Sequence, residues 1–592
     1  MQIDEAIEAI KKNNSGIRNH TDLLSRTGRL QKVLIANRGE IAKRFFLSLK
    51  EEGILSVAVV TDPDKGQTWY EMADQVIMIG EASNYTNIAT IIAATIISGA
   101  NAIYPGYGFL SENPNFVEAI DAAYSEKLTD KPIIFMGPSA TIMRKVGNKL
   151  DARQLAKQYG IPLFDGTENI NQIETAKLEA SRIGYPVIVK LNAGGGGKGM
   201  QAVYSENQLP EAIESCQRIG RILYKDDTYY LEKYIEKPVH IEVQIFNGIA
   251  VGIRKCAVQR RNQKIIEESG DEFLSNHARL ALLAAAENMA RISGYDNGAG
   301  AGTVEFLYDP DSDQMGFLEM NTRLQVEHPV TDQSLGIDLA QWQILEFDGR
   351  QSEIPFLRVL EKRFIHKQHT IECRIYAEDS ENHYTPSPGK IDDLELPTFN
   401  GIRCDFGFRR GDRILPDYDP MIGKLIATGE SRKEALLRME RSLNELYIRG
   451  ITTNQYQLLR IIRSTQFQDG NYTNRLLDDH PELSQPVFDK ILFQQSAIFA
   501  ALSENINLIK EKKDEVFINQ DLEAVIHRLD LLSLPEAYDV EIQDHFYEVR
   551  FFQISLTRFY VYLNRIFQGE IELLPALSST NDYTFRFEYR SY

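Results

Sequence analysis

Residues 185–205, YPVIVKLNAGGGGKGMQAVYS, carry a run of glycines between two apolar segments that are rich in β-branched residues. This pattern predicts two strands joined by a hairpin, whereas a dinucleotide-binding GxGxxG motif needs a helix after its glycines. The amides of consecutive glycines can close on phosphate oxygens, and Lys190 and Lys198 add positive charge. We interpret the stretch as a phosphate-binding hairpin; the alternative is a flexible surface hairpin without a ligand.

A second hairpin is predicted at residues 302–332, GTVEFLYDPDSDQMGFLEMNTRLQVEHPVTD. If its turn is symmetric about Ser312, Glu305 lies opposite Glu319 on one face. Facing carboxylates repel each other unless a cation bridges them. Oxygen ligands, with Asn321 two residues further on, suit Mg²⁺ rather than zinc. The alternative is a solvated face on which both acids pair with Lys or Arg.

The residues that follow this hairpin alternate in character. Arg323, Gln325 and Glu327 occupy every second position, and alternate residues of a strand share one face. We therefore expect a strand that presents an anion-binding arginine and a carboxylate base in one row. A salt-bridged strand face is the alternative, and the neighbouring acidic pair favours a functional role.

Composition describes a soluble protein of several domains. At about 150 residues per domain, 592 residues give roughly four domains. The net charge of −19 disfavours nucleic acid as a general partner. The cysteines lack CxxC spacing, which argues against structural zinc and a disulfide framework and favours a reducing cytoplasm.

Neither a membrane segment nor a signal peptide is expected. The most apolar stretch, Ile88–Ala100, has 13 residues, which is too short to span a bilayer and predicts a buried helix. The first residues, MQIDEAIEAIKKNNSG, lack the apolar core of a signal peptide. Their isoleucines recur at helical spacing and predict a short amphipathic arm.

The remaining pattern changes character along the chain. Strand–helix–strand spacing from residue 31 predicts a parallel α/β sheet that ends at IIFMGPS, 133–139. Two α+β units are expected to follow, and alternating segments after residue 536 predict a small antiparallel sheet. The helix before that sheet is expected to run through IKEKKDE, 509–515.

Over roughly residues 30–480 the chain resembles the biotin carboxylase subunit of acyl-CoA carboxylases, an ATP-grasp family. The motifs that carry the resemblance occur in the family's order: NRGEIA (37–42), YPGYGFLSEN (104–113), GNK (147–149), GGGGKGM (194–200), EKYIEKPVHIEVQ (232–244), QRRNQK (259–264), FLEMNTRLQVEHPVTD (317–332), ECRIYAED (372–379) and RGITTN (449–454).

The resemblance implies a multidomain protein of α/β and α+β parts. The expected domains are a helical arm (1–29), a Rossmann-like N-terminal domain (30–145), an ATP-grasp domain (146–350) with a mobile glycine-rich lid at roughly 161–235, a C-terminal α+β carboxylase domain (351–485), and a helix-plus-β tail (490–592). The tail resembles the docking domain that joins carboxylase and transferase subunits.

The implied activity is the first half-reaction of an acyl-CoA carboxylase of the acetyl-CoA or propionyl-CoA type. ATP and bicarbonate form carboxyphosphate with Mg²⁺, or Mn²⁺, and the carboxyl group passes to N1′ of biotin. No Met-Lys-Met, the biotin attachment motif of carrier domains, occurs in the sequence. We therefore expect biotin on a separate carrier protein, a carboxyltransferase partner, and a homodimer or larger complex in the cytoplasm.

The resemblance also implies roles for individual residues. The ATP-binding residues would be Lys149, Lys190, Gly196, Gly197, Glu232, Lys233, Ile235, His240 and Asn262. The metal ligands would be Glu305, Glu319 and Asn321, and the bicarbonate site would comprise Lys264, Arg323 and the Val326 backbone. Glu327 would be the base that deprotonates bicarbonate, and Arg374 would stabilise the biotin enolate.

Two departures from the family pattern concern the nucleotide side. Asn262 stands where the family usually has histidine, and residues 253–257 read IRKCA where ERDCS is usual. Asparagine can donate a hydrogen bond but carries no positive charge, so nucleotide affinity is affected more than chemistry. The alternatives are a catalytically weakened subunit kept for assembly or regulation, or an ATP-grasp ligase for another carboxylate.

Two further sets of residues are interpreted as structural. Cys256 lies close to the expected site, and a buried, unreactive thiol is the preferred interpretation. His366 and His369 have helical spacing but fall at the start of a predicted strand without a third ligand, so no metal is expected there.

Overall fold

A computed structural model describes residues 3–14, 28–192, 199–223, 225–356, 368–485, 497–502, 537–542, 545–553, 558–564, 566–575 and 583–589. The chain divides into two compact units, Met1–Gln485 and Pro486–Tyr592. The domain boundaries expected within the first unit stay a prediction. Within the described ranges, every helix is too short or too polar to cross a membrane.

The first unit begins with a parallel five-stranded sheet in the order β3-β2-β1-β4-β5. Alternate residues of β1 point to opposite faces: Val33 packs with helix α2, and Leu34 packs with helices α3 and α4. This arrangement confirms the predicted Rossmann-like sheet. The elements are β1 (Lys32–Ile35), α2 (Gly39–Glu51), β2 (Leu55–Thr61), β3 (Gln75–Gly80), a 3-10 helix (Ala82–Thr86), α3 (Ile88–Ser98), β4 (Ala102–Tyr104), α4 (Pro114–Ser125) and β5 (Ile134–Phe135).

The N-terminal arm is helix α1 (Ile3–Asn13). Its buried residues Ala6 and Ile10 join the apolar cluster of α3, which confirms the predicted amphipathic arm. Asn14 then binds the edge strand β3: its side-chain amide donates to the Met78 carbonyl at 2.9 Å and accepts from the Met78 N–H at 2.8 Å. The arm therefore satisfies edge groups of β3 that a further strand would otherwise pair.

The glycine-rich hairpin lies in a three-stranded antiparallel sheet in the order β7-β6-β8. The predicted strands on both sides of the glycines are confirmed, while residues 193–198, with Gly196 and Gly197, lie outside the described residues. Helices α7 and α8 pack on this sheet. The elements of this region are α5 (Ala140–Gly147), α6 (Lys149–Gln158), α7 (Ile173–Ile183), β6 (Val187–Leu191), β7 (Met200–Val203), a 3-10 helix (Glu206–Gln208), α8 (Leu209–Leu223) and β8 (Tyr229–Lys233).

The centre of the unit is an eight-stranded antiparallel sheet in the order β13-β12-β9-β10-β11-β14-β21-β19. Its elements include β9 (Val239–Phe246), β10 (Ile249–Arg260), β11 (Gln263–Ser269), α9 (Asn276–Ser293), β12 (Ala301–Asp309), β13 (Gln314–Asn321), α10 (His328–Leu335), α11 (Leu339–Asp348), a 3-10 helix (Gln351–Glu353), β14 (His369–Tyr376), β19 (Ile402–Phe406) and β21 (Met421–Gly429). Every second residue of β9 (Val239, Ile241, Val243, Ile245) joins the main apolar core, which includes residues of α9. The intervening residues of the same strand are polar and face the other way.

The C-terminal part of the first unit also contains three two-stranded sheets, β15-β16, β17-β20 and β18-β22, and several helices. These elements are β15 (Glu378–Asp379), β16 (Thr385–Pro386), β17 (Gly389–Lys390), β18 (Asp393–Glu395), β20 (Arg413–Ile414), α12 (Arg432–Glu445), β22 (Tyr447–Arg449), α13 (Gln455–Arg463), α14 (Thr465–Gln468), α15 (Leu476–Asp479) and a 3-10 helix (Pro481–Ser484). Helix α12 buries Ala435, Met439 and Leu443 in the main core.

The second unit contains a five-stranded antiparallel meander, which confirms the predicted tail sheet. A helical segment at 497–502 shares its apolar cluster with Val549 and Val561. The strands are β23 (Ala537–Ile542), β24 (His545–Gln553), β25 (Arg558–Leu563), β26 (Ile566–Pro575) and β27 (Tyr583–Tyr589). The helix predicted through 509–515 lies outside the described residues.

Candidate active site

The candidate site lies on the polar face of the eight-stranded sheet. Because alternate residues of a strand point to opposite faces, these strands direct charged or amide side chains to this face and apolar side chains to the core on the other face. These side chains are His240, Glu242 and Gln244 on β9, Arg254 on β10, Lys264 and Glu267 on β11, Glu305 on β12, Arg374 on β14 and Lys424 on β21. Most are buried, so each charge needs a partner of opposite sign.

Lys264 is the central cation of this face. Its ammonium group contacts Glu305 and Glu327, at 3.1 Å each, and forms a third ion pair with Glu242. Burial opposes the charge of Lys264, yet the three carboxylates, Glu242 foremost, raise its pKa well above the usual value. The site therefore holds a permanent positive charge beside the expected base.

The predicted pairing of the acidic hairpin is confirmed by the strand register, which places Glu305 opposite Glu319. A bulge follows this pair, so the hairpin is not symmetric beyond it. Glu305 is buried and accepts hydrogen bonds from Asn321 at 2.7 Å and Gln325 at 2.8 Å. Glu319 is more exposed and pairs with Lys149 at 3.3 Å. The three expected metal ligands thus lie on two paired strands.

The donor set of these ligands fits a hard divalent cation. Glu305, Glu319 and Asn321 offer only oxygen ligands if the amide of Asn321 turns its oxygen to the ion, and Mg²⁺ prefers oxygen. Among the described residues, the groups with the closest metal-compatible atoms are His240–Glu242–Glu305 and Glu242–Cys256–Glu327. The carboxylates of both groups already contact Lys264, and Arg254 and Arg374 provide further positive charge at Glu242 and Glu327.

The expectation that residues 323–327 form a strand is wrong. Strand β13 ends at Asn321 and helix α10 begins at His328, so the segment between them is a loop that ends in a turn. Arg323, Gln325 and Glu327 nevertheless reach one site. Gln325 binds Glu305, and Glu327 binds Lys264, because the turn folds the segment back over the polar face.

Arg323 is fixed by a residue from the N-terminal part of the chain. Glu112 accepts a hydrogen bond from Arg323 Nε at 2.8 Å and another from the Thr322 backbone N–H at 3.0 Å. Burial opposes the charge of Arg323, but Glu112 raises its pKa. The guanidinium therefore has a fixed orientation at the site.

Arg374 lies between two carboxylates. Its Nε donates to Glu267 at 2.6 Å, and its Nη2 contacts Glu327 at 2.9 Å. Burial acts to raise the pKa of Glu327, yet Lys264 and Arg374 hold it well below the usual value. Glu327 is therefore ionised near neutral pH.

The predicted ATP-phosphate lysines are paired with acids on the nucleotide side. Lys190 forms an ion pair with Glu232, which also contacts Arg153 at 2.6 Å. Burial acts to raise the pKa of Glu232, but Lys190 and Arg153 lower it below the usual value. Lys149 pairs with Glu319, so both lysines have carboxylate partners that polyphosphate would replace.

The other residues predicted to bind the nucleotide lie on several different elements. Lys233 donates to the Gly184 and Tyr185 carbonyls at 2.9 and 3.2 Å, and Ile235 lies in the loop after β8. His240 is buried and contacts Glu305 at 2.8 Å. Asn262 is exposed, at the hairpin tip between β10 and β11.

Local backbone geometry explains asparagine at position 262. Arg261 and Asn262 form the two-residue loop of the β10–β11 hairpin, with φ values of 48° and 65°. Asparagine tolerates such left-handed conformations better than most residues. The substitution therefore suits the turn, whatever it does to nucleotide affinity.

A cavity of about 500 Å³ opens beside Arg374. Its wall includes Glu40 from the NRGEIA motif, Tyr107 from the YPGYGFLSEN motif, and Arg323 and Val326 from the loop before α10. The two N-terminal motifs, to which sequence analysis assigned no direct role, thus line the same cavity as Arg374, the expected biotin residue.

The residues interpreted as structural have buried or paired positions. Cys256 is buried, and burial raises the pKa of its thiol well above the usual value. His369 bonds Glu268 at 2.9 Å. His366 lies outside the described residues.

Sequence reasoning missed several charged residues at this site, among them Glu112, Glu242, Glu267 and Lys424. Glu112 lies within the quoted YPGYGFLSEN motif, and Glu242 is two residues from His240 and so shares its face. Glu267 and Lys424 are charges inside otherwise apolar strand patterns. A charge within a buried strand is the pattern that could have revealed them.

Three protein-family models match consecutive parts of the chain. They are the biotin carboxylase N-terminal domain at 29–143, the carbamoyl-phosphate synthase L chain ATP-binding domain at 148–349, and the biotin carboxylase C-terminal domain at 372–479. Together they cover the ranges that contain every predicted site residue.

Individual proteins give the same result. The mitochondrial methylcrotonoyl-CoA carboxylase subunit alpha of Glycine max is 40% identical over 77% of this chain, which spans 61% of that subunit. Biotin carboxylase 1 of Bacillus subtilis is 38% identical over 76% of this chain and 99% of its own length. The solved biotin carboxylase–βγ-ATP complex of Campylobacter jejuni is 40% identical, with a TM-score of 0.70, and covers 76% of this chain and 99% of its own.

Proposed function

The chain belongs to the biotin carboxylase family and is an ATP-dependent biotin carboxylase, and we propose that it carboxylates biotin on a separate carrier protein with bicarbonate by way of carboxyphosphate. Such a reaction is the first half-reaction of an acyl-CoA carboxylase. The observation that carries the proposal is the position of Glu327 between Lys264 and Arg374, at 3.1 and 2.9 Å.

In the first step, bicarbonate would bind between Lys264, Arg323 and the backbone at Val326. Glu327 would take its proton, because the carboxylate is ionised and the two neighbouring cations hold the bicarbonate in place. A bicarbonate oxygen would then form a bond to the γ-phosphorus as the bond to ADP breaks. Fixed cations stabilise the charge that develops on the transferred group.

On the nucleotide side, Lys149 and Lys190 would bind ATP phosphates, with Gly196 and Gly197 closing over them. Glu232, Lys233, Ile235, His240 and Asn262 would complete the nucleotide site. Mg²⁺ or Mn²⁺, held by Glu305, Glu319 and Asn321, would offset phosphate charge when bound. The present ion pairs of Lys149 and Lys190 with carboxylates would be exchanged for phosphate contacts on binding.

In the second step, the carboxyl group would pass from carboxyphosphate to N1′ of biotin, and the phosphate that is released would take the N1′ proton. Arg374 would stabilise the biotin enolate in the 500 Å³ cavity. This stabilisation acts only once biotin has lost its N1′ proton, so it lowers the transition state rather than the ground state.

The finer identity of the enzyme is also a proposal. We propose an acetyl-CoA or propionyl-CoA type of carboxylase, with a biotin carboxyl carrier protein and a carboxyltransferase subunit as partners. The meander of the second unit supports a docking role, because β23 and β27 are the outer strands of its described sheet and an outer strand can bind another chain.

The test is ADP formation by the purified chain with ATP and Mg²⁺, with and without bicarbonate and free biotin. ADP formation that requires bicarbonate and rises with biotin is expected. Glu327→Gln should lower it by about 10²- to 10⁴-fold. Glu118→Gln, which changes an exposed glutamate paired with Arg144, is the control and should have no effect.

Two other results would overturn the proposal. ATP binding without any ADP formation would indicate the weakened subunit, for which Asn262 is the supporting residue. ADP formation that ignores both bicarbonate and biotin would indicate a ligase for a different carboxylate.

A further inference from the structure

The loop before helix α10 closes with a turn from Gln325 to His328. The His328 N–H donates to the Gln325 carbonyl at 3.3 Å, and Glu327, the third residue, has φ −83° and ψ 11°. These angles are those of a type I turn, which leaves the amides of its two central residues without a partner inside the turn. Within the part of the chain that the structure describes, the Val326 and Glu327 N–H groups have no acceptor.

Two cations from neighbouring strands hold the central residues of this turn. Arg374 on β14 and Lys424 on β21 are direct partners in the antiparallel register, so their side chains share one face. Arg374 contacts the Glu327 carboxylate at 2.9 Å, and Lys424 Nζ donates to the Val326 carbonyl at 2.8 Å. One cation thus fixes the side chain of the expected base, and the other fixes its peptide.

The bond from Lys424 selects one of two turn conformations. Rotation of the central peptide interconverts type I and type II turns and reverses the direction of the Val326 carbonyl and of the Glu327 N–H. A type II turn would also require positive φ at Glu327, which side chains disfavour. With its carbonyl bound to Lys424, the peptide keeps the type I orientation and presents the Glu327 N–H on the side opposite to Lys424.

Lys424 is fully buried, and its charge is balanced from the N-terminal part of the chain. Glu40 of the NRGEIA motif lies 3.2 Å from the ammonium group and also bonds Tyr107. Two other acids act on the Lys424 charge, Glu372 on β14 and Asp405 on β19. Burial raises the pKa of Glu372 well above its usual value, and Asp405 is already paired with Arg403 at 2.7 Å. Glu40 is therefore the carboxylate that compensates Lys424.

We propose that Lys424, balanced by Glu40, is a positioning residue for bicarbonate: it holds the Val326–Glu327 peptide in the orientation that presents the Glu327 N–H and the Glu327 carboxylate to the anion. This proposal rests on the proposed function. It also gives the NRGEIA motif a role, because Glu40 couples the N-terminal part to the turn that holds the expected base.

Loss of Lys424 should therefore weaken bicarbonate binding in particular. In Lys424→Met the peptide loses the bond that selects its orientation, and we expect the KM for bicarbonate to rise by about tenfold or more. The KM for ATP should change less than twofold, because Lys424 contacts none of Lys149, Lys190 or Glu319.

A buried glutamate without its lysine destabilises a fold, so the experiment uses a neutral pair. Glu40→Gln/Lys424→Met is compared with wild type and with Glu40→Gln, and each variant is checked for a cooperative unfolding transition. If Glu40→Gln, which leaves Lys424 without its acid, does not fold, the comparison of the double variant with wild type decides the question. The added effect of Lys424→Met is read from the KM values for bicarbonate, ATP and free biotin in ADP formation. A tenfold rise confined to bicarbonate supports the proposal.

The matched control is Lys43→Met. Lys43 also donates to a backbone carbonyl from a distant part of the chain, that of Phe406 at 2.9 Å. The Lys43→Met variant should leave the KM for bicarbonate unchanged. An unchanged bicarbonate KM in the double variant, or an equal rise for all three substrates, overturns the proposal. Wild-type enzyme without bicarbonate-dependent ADP formation would instead overturn the proposed function, and the inference with it.

Discussion

Strands β10 and β11 carry a polar cluster on each of their two faces, and the clusters differ in how their charges are balanced. On the site face, Lys264 contacts three carboxylates. On the opposite face, Lys255 lines a cavity of about 340 Å³ that also includes Glu268. Its ammonium group donates to the Gly470 carbonyl at 2.6 Å and lies 3.6 Å from the centre of the Tyr472 ring.

The two lysines show that charged neighbours, rather than burial alone, decide the direction in which the pKa of a buried side chain shifts. Burial lowers the pKa of Lys255 to about 8, with only a partial offset from Glu268. The same burial is outweighed at Lys264, whose pKa is raised. The adjacent acids Glu267 and Glu268 differ in the same way. Burial raises the pKa of Glu267. Burial also acts to raise the pKa of Glu268, but His369 and Arg432 lower it below the usual value.

The largest expected effect comes from removing the cation of the site face. Lys264→Met leaves Glu242, Glu305 and Glu327 without their shared partner, which should cost about 3–5 kcal/mol of unfolding free energy. Bicarbonate-dependent ADP formation should fall by at least about 10²-fold, because a fixed charge at the reacting group is lost. Urea unfolding and steady-state kinetics measure the two effects separately.

A second variant separates instability from lost chemistry in this experiment. Glu242→Gln/Lys264→Met removes one negative charge with the cation and should regain part of the stability. Its activity should stay low. Recovery of activity together with stability would show that Lys264 acts only through the fold, and the contrast between the two faces would then not concern function.

A smaller and more selective effect is expected from Arg374→Met. The proposed role of Arg374 begins when biotin loses its proton, so biotin-dependent turnover should fall by about 10²-fold. ADP formation with bicarbonate but without biotin should fall much less, because Lys264 still contacts Glu327. ADP assays with and without free biotin make this distinction. Equal losses in both assays would place Arg374 in the bicarbonate step instead.

Sequence patterns correctly predicted those helices and strands whose formation depends on residues that are close together in the chain. The alternation and turn of residues 302–321 fixed the register of Glu305 and Glu319, and β-branched residues marked the strands beside the glycine run. Helix α1 followed from the spacing of its isoleucines. In each case, the residues that contact one another in the helix or hairpin are also close together in the sequence.

Contacts between distant parts of the chain could not be predicted in this way. Residues 323–327 alternate like a strand, but β13 ends at Asn321 and a helix with a proline in its first turn begins at His328. Glu112 reaches Arg323 over a separation of 211 residues. Lys424 reaches Val326 over 98 residues. Such partners depend on how the sheets pack, which periodicity does not encode.

The smallest expected effect concerns the stability of the opposite face. Lys255→Met replaces a buried ammonium group by an apolar side chain of similar length, and the variant should be more stable than wild type at pH 7 by about 1 kcal/mol. Its bicarbonate-dependent activity should be unchanged, since Lys255 contacts none of the proposed catalytic residues. Urea unfolding of both proteins at pH 7 and pH 9.5 measures the difference.

The sign of the pH dependence follows from the direction of the shift. The folded chain holds Lys255 with a pKa of about 8, below the usual 10.5, so the unfolded chain binds more protons between these values. The titration of Lys255 therefore adds stability to the wild type as the pH rises through this range. The difference in unfolding free energy between Lys255→Met and wild type should therefore shrink, and comparison with the wild type cancels other groups that titrate in this range.

A stability difference that grew with pH would mean that the Tyr472 ring and the Gly470 carbonyl stabilise the ammonium form. The two faces would then hold lysines of the same kind, and the balance of charge would no longer distinguish the site from its reverse side.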